Sequence, residues 1–362
     1  PEIIALADRI SKTYKNDKPL MPLLFEMIFG SLCLFLVLIY INHRYPFIFR
    51  NPKDTAVTAL LLCSSLASFK VGMWFSFENL TQSFPRVPLT VFLFALPIAA
   101  PAMLARLLLS EALSLLFAGL LSLGCAILMG KVGALYGLYV LAISLASVMF
   151  LDQCRSRAEL YLSGVKMSLV CAAGATALIF AWGGGIPLNT VELQDIEGGI
   201  ATGTFQIIYG ALGAAAGGFL SAVIALALTP LFEFIFSYTT DLKLLELARM
   251  DHPLLRELVI RAPGTFHHSL MVSSLAEAGA KEIGARSLLV RVGALFHDIG
   301  KMEKPEFFME NNLDGSKSHA TLRPEESARI IIGHVVNGVH LAKQYGLRQE
   351  IIDFIEQHHG RA

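Results

Sequence analysis

Charge is what this sequence has least of. Asp, Glu, Lys and Arg make up only 16% of its 362 residues, against about a quarter in an ordinary soluble domain. The shortage falls almost entirely before residue 236, and from Asp241 onward charge is dense and apolar residues recur at helical spacing. That asymmetry describes a membrane domain followed by a soluble one. Basic and acidic residues number 29 each, so there is no basic surplus and a nucleic-acid polymer is not an expected partner. Cysteine is sparse too. Cys33, Cys63, Cys125, Cys154 and Cys171 all lie in the apolar part and none forms a CxxC pair. They read as small hydrophobes in helices, which excludes a disulfide framework and a thiolate metal site. No alternating stretch of useful length marks a strand, and no secretory signal peptide is present. The expected fold class is therefore all-α, a polytopic helical membrane bundle followed by an all-helical domain.

Long apolar runs are abundant. A span needs about 20 mostly apolar residues, and seven candidates qualify: 22–42, 55–75, 87–105, 110–129, 132–150, 164–183 and 205–236. The third and fourth run close together around Arg106 and Glu111. Short loops set the orientation through their Lys/Arg content. Arg44, Arg50 and Lys53 fall on one side with Arg106, Arg155 and Arg157; the loops on the other hold Arg86, Lys131 and the acidic segment 184–204, which has no Lys or Arg. Residues 43–54 are thus expected in the cytoplasm, and seven spans place the C-terminal domain there as well. Trp74 and Trp182 lie near span ends, as interfacial anchors do. The few ionisable residues within spans, Lys70, Lys166 and Glu233, sit near their ends, so no charged pathway for transport is apparent. The glycines of the last span (Gly210, Gly213, Gly217, Gly218) are explained by close helix packing.

The soluble part reads as helices over 241–250, 253–261, 266–283, 286–299, 324–345 and 348–359. Gly284 and Gly346 stand at C-terminal capping positions, and Pro324 with two following glutamates makes a good first turn. The polar loop 302–323 is long enough to suggest a function. Nine of the ten histidines lie at or after His252. His267 and His268 are neighbours on a helix and point about 100° apart, so they rarely serve one metal together. His268 shares a face with Val272 and Leu275 and is expected to look into the core. His297 closes a helix with an apolar face of Leu288, Leu289, Val292 and Leu295. His334 sits among Ile331, Ile332 and Val335, where a lone imidazole is costly unless paired or coordinated. His358 and His359 end another amphipathic run, while His319 and His340 are read as surface residues whose replacement is nearly silent.

Any one of these histidines alone is a satisfied core or surface residue. Five on successive helices, beside Asp298, point to a metal centre between bundle helices. Imidazole and carboxylate without thiolate suit Fe, Mn or Zn. Five histidines exceed the usual ligands of one ion, and two ions bridged by Asp298 use them all. Such a pair suits in-line displacement at phosphorus, because it activates a water and balances charge on phosphate oxygens. Lys301, one turn beyond Asp298, offers a point charge for a non-bridging phosphate oxygen.

The segments "HPLLREL", "APGTFHHSLMV", "RVGALFHDIGK", "FFMEN", "IIIGHV" and "IIDFIEQHHG", in that order, resemble the HD superfamily of metal-dependent phosphohydrolases. Joined to seven spans, the chain is similar to the seven-transmembrane-receptor HD family over essentially its whole length. The resemblance implies a multi-pass plasma-membrane phosphodiesterase with a cytoplasmic HD domain. It would hydrolyse cyclic di-AMP to linear pApA with two divalent transition metal ions, Mn or Fe. It implies the ligands His268, His297, Asp298, His334, His358 and His359, with Asp298 bridging, and Lys301 on the phosphate side. It divides the chain into residues 1–20, the tail of an extracytoplasmic domain; 21–236, the seven spans; and 237–362, the HD domain. Family members carry a further aspartate ligand downstream and continue "HHGT", where this chain reads Gly360, Arg361, Ala362; an HD domain cut short is the expectation. An extracytoplasmic signal is an expected input, and a homo-oligomer is compatible with the sequence. Two alternatives stand beside this reading. One is an HD enzyme for another cyclic dinucleotide, although the "HHE" and Gly-Tyr-Pro of cyclic di-GMP enzymes are absent. The other is a receptor whose HD domain binds a nucleotide without turnover.

Overall fold

The computed structural model describes residues 52–80, 83, 87, 89–151, 157–182, 199–312 and 319–360. The expected span 22–42 and the tail 1–20 lie outside the described residues. Among the described residues every regular element is helical and there is no strand. Contacts group the chain into two compact units, one of residues 1–153 and 160–230 and one of residues 154–159 and 231–362.

The first unit contains α1 (Pro52–Phe75), a π turn at Ser76–Leu80, α2 (Leu89–Ala95), α3 (Ala99–Leu108), α4 (Glu111–Met129), α5 (Gly133–Phe150), α6 (Arg157–Ala181) and most of α7 (Gly199–Phe236). Six stretches are long and apolar enough to cross a membrane: Lys53–Phe75, Val91–Leu108, Glu111–Met129, Gly133–Phe150, Ala158–Ala181 and Phe205–Phe236. The chain is therefore built as a multi-pass membrane protein. Large apolar side chains such as Ile127, Leu138, Leu169 and Phe180 face outward, as they do when the surroundings are lipid. The span expected at 87–105 is two helices. Pro97 cannot donate a backbone hydrogen bond, the helix breaks over residues 96–98, and α3 then runs on to Leu108. Leu109 turns extended at φ −108°, ψ 166°, and Ser110 remains extended, so α4 is a separate span. Inside, Tyr136 is fully buried and stacks on Phe69 at 5.5 Å. A side chain at Gly217 of α7 would meet the Phe94 carbonyl at 2.6 Å, so the small residues of this helix are used for packing.

The second unit holds α8 (Asp241–Leu247), α9 (Pro253–Arg261), α10 (Pro263–Glu282), α11 (Ser287–Phe296), α12 (Pro324–Gln344) and α13 (Gln349–Gln357). Short 3₁₀ turns at Ile299–Glu303, Pro305–Phe307, Met309–Asn311 and His319–Thr321 occupy the described part of the expected loop 302–323. Proline opens α9, α10 and α12, where its missing N–H has no helical partner to lose. For this reason α10 begins at Pro263 rather than at 266. Gly284 and Gly346 have φ of 66° and 68° and close α10 and α12. Their following residues return hydrogen bonds to the last turn, Ala285 to Ala280 O at 2.8 Å and Leu347 to Ala342 O at 2.9 Å. The core gathers Leu254, Leu255 and Leu258 of α9 with Val292, Leu295 and Phe296 of α11 and Ile351, Ile352 and Ile355 of α13. Burying each of these side chains contributes about 1.5–3 kcal/mol. This shared core aligns α11 and α13, whose C-terminal ends carry the residues of interest.

Candidate metal centre

The expected helix 286–299 stops at Phe296, and His297 is its C-cap residue. The chain then tightens into the 3₁₀ turn of Ile299–Glu303. Gly300 requires this close fit, since a Cβ there would collide with the His334 carbonyl and the Gly338 amide of α12. The turn is thereby pressed onto α12 beside His334, and Asp298 ends up 3% exposed at the centre of a ring of histidines.

Two groups form around it, His268 with His297 and Asp298, and His334 with His358 and His359; within each, one ligand atom per residue lies within 4.8 Å of the others. Asp298, a member of the first group, also reaches the second. Its Oδ2 is 3.1 Å from His297 Nε2. Its Oδ1 is 3.4 Å from His334 Nε2 and 3.5 Å from His358 Nε2. His268 approaches from the open side, its ring 5.8 Å from that of His297.

The helix backbone aims these rings. His297 Nδ1 faces the Ala294 carbonyl at 2.7 Å, His358 Nδ1 the Ile355 carbonyl at 2.9 Å, and His334 Nδ1 the Ile331 carbonyl. A carbonyl only accepts, so each Nδ1 carries the hydrogen and a neutral ring presents a lone pair at Nε2. Yet the Nε2 atoms of His334 and His358 are 3.3 Å apart, as are those of His359 and His334. Lone pairs that close repel unless a cation lies between them. An edge of about 3.3 Å is what ligands about 2.0–2.1 Å from one tetrahedral ion would make. Asp298 Oδ1 is buried without a hydrogen-bond partner, a cost of about 1–3 kcal/mol that a cation would remove. The donor set therefore fits divalent metal.

Electrostatics agree. Burial would raise the Asp298 carboxyl, but His297, His358 and Lys301 outweigh it and hold the group ionised, below the usual carboxylate range. Burial alone would lower His297, and the Asp298 carboxylate reverses the direction, so its pKa is raised. Burial lowers His334 and His359, which favours the neutral, metal-binding form. Lys301 is held between two carboxylates, 2.9 Å from Asp298 Oδ2 and 2.9 Å from Glu310 Oε1. Burial opposes its charge, but the two carboxylates raise its pKa.

All six expected ligands and Lys301 are thus in one place, with three corrections. His268 does not look into a core: it is exposed, and Leu275 on the same face is 71% exposed. The buried face of α10 is instead the small polar row Thr265, Ser269 and Ser273, which hydrophobic periodicity does not reveal. His334 is buried, but not by Ile331 and Ile332, which are exposed; Phe308 lies edge-on to it at 5.8 Å. His319 is no silent surface residue. Its Nε2–H donates to the Phe307 carbonyl at 2.8 Å and its Nδ1 accepts from Ser327 Oγ at 2.8 Å. It ties the turns after the HD pair to the start of α12. Glu310 and Asn311, within "FFMEN", were not assigned roles from the sequence; their signal was a polar pair in a loop of unusual length.

Comparison with known proteins agrees with this picture. A family model described as a 7TM receptor with intracellular HD hydrolase matches residues 20–240, and an HD domain model matches residues 265–362. The cyclic-di-AMP phosphodiesterase PgpH of Bacillus subtilis (strain 168) is 33% identical over 273 residues, 74% of this chain and 36% of that protein. PgpH of Listeria monocytogenes serotype 1/2a (strain 10403S) is 36% identical over 315 residues, 86% of this chain and 40% of that protein. The chain therefore spans well under half the length of these relatives. A crystal structure of the L. monocytogenes PgpH HD domain in complex with cyclic-di-AMP is 50% identical, covering 32% of this chain and 54% of that one, with a TM-score of 0.31. The HD domain is a metal-dependent hydrolase fold, in keeping with the two ligand groups. With six membrane-length apolar stretches among the described residues ahead of that domain and a family model across residues 20–240, this chain belongs to the 7TM receptors with intracellular HD hydrolase.

Proposed function

We propose that this chain is the membrane-bound catalytic part of a phosphodiesterase that hydrolyses cyclic di-AMP to linear 5′-pApA with two divalent ions, Mn or Fe. The observation that carries this reading is the pair of three-residue groups with Asp298 between them, a member of one and 3.4–3.5 Å from two histidines of the other. The names of its relatives, cyclic-di-AMP phosphodiesterases, supply the substrate class. One ion would be held by His268, His297 and Asp298, the other by Asp298, His334, His358 and His359. Bound there, the ions supply Lewis acidity, activating a water and offsetting charge at phosphorus. The protein's own part is preparation. Backbone carbonyls at i−3 fix three imidazoles in the ligating tautomer. Lys301 keeps a cation beside the shared carboxylate, where it can donate to a phosphate oxygen. The Lys/Arg content of the short loops supports an HD domain on the cytoplasmic side.

The test is hydrolysis of cyclic di-AMP with Mn²⁺, product identified by chromatography, using this chain in lipid nanodiscs and the natural full-length protein. Parent protein should release pApA, and Asp298→Ala or His334→Ala should lower turnover at least a hundredfold together with metal content. Tight cyclic di-AMP binding with no turnover in either protein would replace the enzyme by a receptor. Equal activity in Asp298→Ala would remove the proposed centre.

A further inference from the structure

Glu310 lies outside both ligand groups, yet it is the second anion on Lys301. The Lys301 ammonium stands 2.9 Å from Asp298 Oδ2 and 2.9 Å from Glu310 Oε1. The Phe308 ring lies against another side, 5.0 Å from Nζ to the centroid, and the side chain keeps 15% exposure through which a ligand can reach it. Asp298 is the carboxylate that faces both groups, so metal ions there would draw on its oxygens and weaken its hold on the ammonium. Glu310 then remains as the anion that retains Lys301.

Glu310 is itself held firmly. Thr265 Oγ1 donates to the same Oε1 at 3.0 Å. Its neighbour Asn311 is bonded twice to Thr265, from Thr265 N to Oδ1 at 3.1 Å and from Nδ2 to Thr265 Oγ1 at 2.8 Å. Three residues before Glu310, the Phe307 carbonyl accepts from His319, whose other nitrogen is bonded to Ser327, so the same turns are fastened to α12. A carboxylate tied to α10 on one side, in a segment tied to α12 on the other, has a fixed position. A lysine has rotamer entropy to lose on being fixed, and a fixed partner removes that loss before a ligand arrives.

We propose that Glu310 is a positioning residue that anchors the Lys301 ammonium beside the metal centre, so that it meets a phosphate oxygen without first being ordered. This rests on the two-metal reading above. The proposal has a sign that simple electrostatics does not share. Glu310 is negative, so acting directly it repels phosphate, and its removal would tighten anion binding. Acting through Lys301, its removal weakens that binding.

The experiment measures inorganic phosphate affinity by calorimetry on the Mn²⁺-loaded full chain in nanodiscs. Four proteins are compared: parent, Glu310→Ala, Lys301→Met and the double variant. Glu310→Ala should bind phosphate about tenfold more weakly, the scale of one charge-assisted hydrogen bond. Adding Glu310→Ala to Lys301→Met should cause no further loss, or a gain. Glu310→Gln, which keeps an acceptor oxygen for the ammonium, should recover part of the affinity, and it replaces the alanine variant in the comparison if that one does not fold. Unchanged or tighter phosphate binding on loss of Glu310 overturns the proposal, as does an equal loss in the Lys301→Met background. Asp298→Ala separates the two readings. If that variant still loads Mn²⁺ like the parent, the metal centre itself fails. If it does not load while Glu310→Ala binds phosphate normally, only the role of Glu310 falls.

Discussion

A histidine's role in this domain is decided by what its second nitrogen does. In His297, His334 and His358 the Nδ1 hydrogen goes to the carbonyl three residues back, leaving Nε2 for the centre. In His319 both nitrogens are spent on protein partners, and the ring is a tie. Sequence context sets His319 apart from the expected ligands, but its role as a tie is not legible there, because that depends on which groups lie within 3 Å. His252 is a third case. Its ring packs edge-on to Phe296 at 5.4 Å, and its Nδ1 is buried without a partner. Burial, helped by Lys243, lowers its pKa. The folded domain thus resists a proton that the unfolded chain takes up near pH 6.5. Stability from this residue is complete above that pH and is lost as pH falls towards the lower folded value. Hydrogen exchange of the α9 and α11 amides, corrected for intrinsic rates, should accelerate on acidification below about pH 6.5. His252→Gln should flatten that dependence; an unchanged slope would assign it to other groups.

At the scale of elements, the centre depends on helix ends. α11 and α13 lie in one apolar core, and their last residues lead into His297-Asp298 and His358-His359. A helix end offers carbonyls without helical partners, and these aim the rings. The third contributor, α12, presents His334 from its middle and is reached only because Gly300 lets the 3₁₀ turn touch its backbone. Gly300→Ala should therefore separate the turn from α12. A cost of about 1–3 kcal/mol or more is expected from overpacking, read as earlier thermal loss of helical circular dichroism in the metal-free protein. Because the displacement separates Asp298 from His334, Mn²⁺ affinity should fall with it. Retained affinity in a fully folded variant would show that the contact is not needed to build the centre.

At the scale of the whole molecule, six apolar stretches of membrane length, among the described residues, precede an HD domain in one chain. The charge pattern of the loops assigns a side to each part, and this is open to direct test. In a variant with its five cysteines replaced, Asp195→Cys should react with a membrane-impermeant maleimide in intact cells. Glu282→Cys, exposed on α10, should react only after the membrane is opened. The opposite labelling would invert the proposed topology.

The sequence by itself determined the all-helical class of fold and the approximate places of the apolar helices, and it nominated the histidines and the aspartate that the fold brings together. Those follow from composition, period and side-chain chemistry, all of which are local. It also located the capping glycines Gly284 and Gly346, whose left-handed backbone is a local demand. The break at Pro97 is equally a local matter, yet the length of the apolar run 87–105 read as one span and hid it. Only the tertiary structure decided that the HD helix stops at Phe296, that α10 turns Thr265, Ser269 and Ser273 inward while His268 stays open, and that Glu310 meets Lys301. Each of these rests on contacts between segments distant in sequence. The space left beside Gly300 and the carboxylate waiting across a turn are properties of the packed domain, and no one segment carries them.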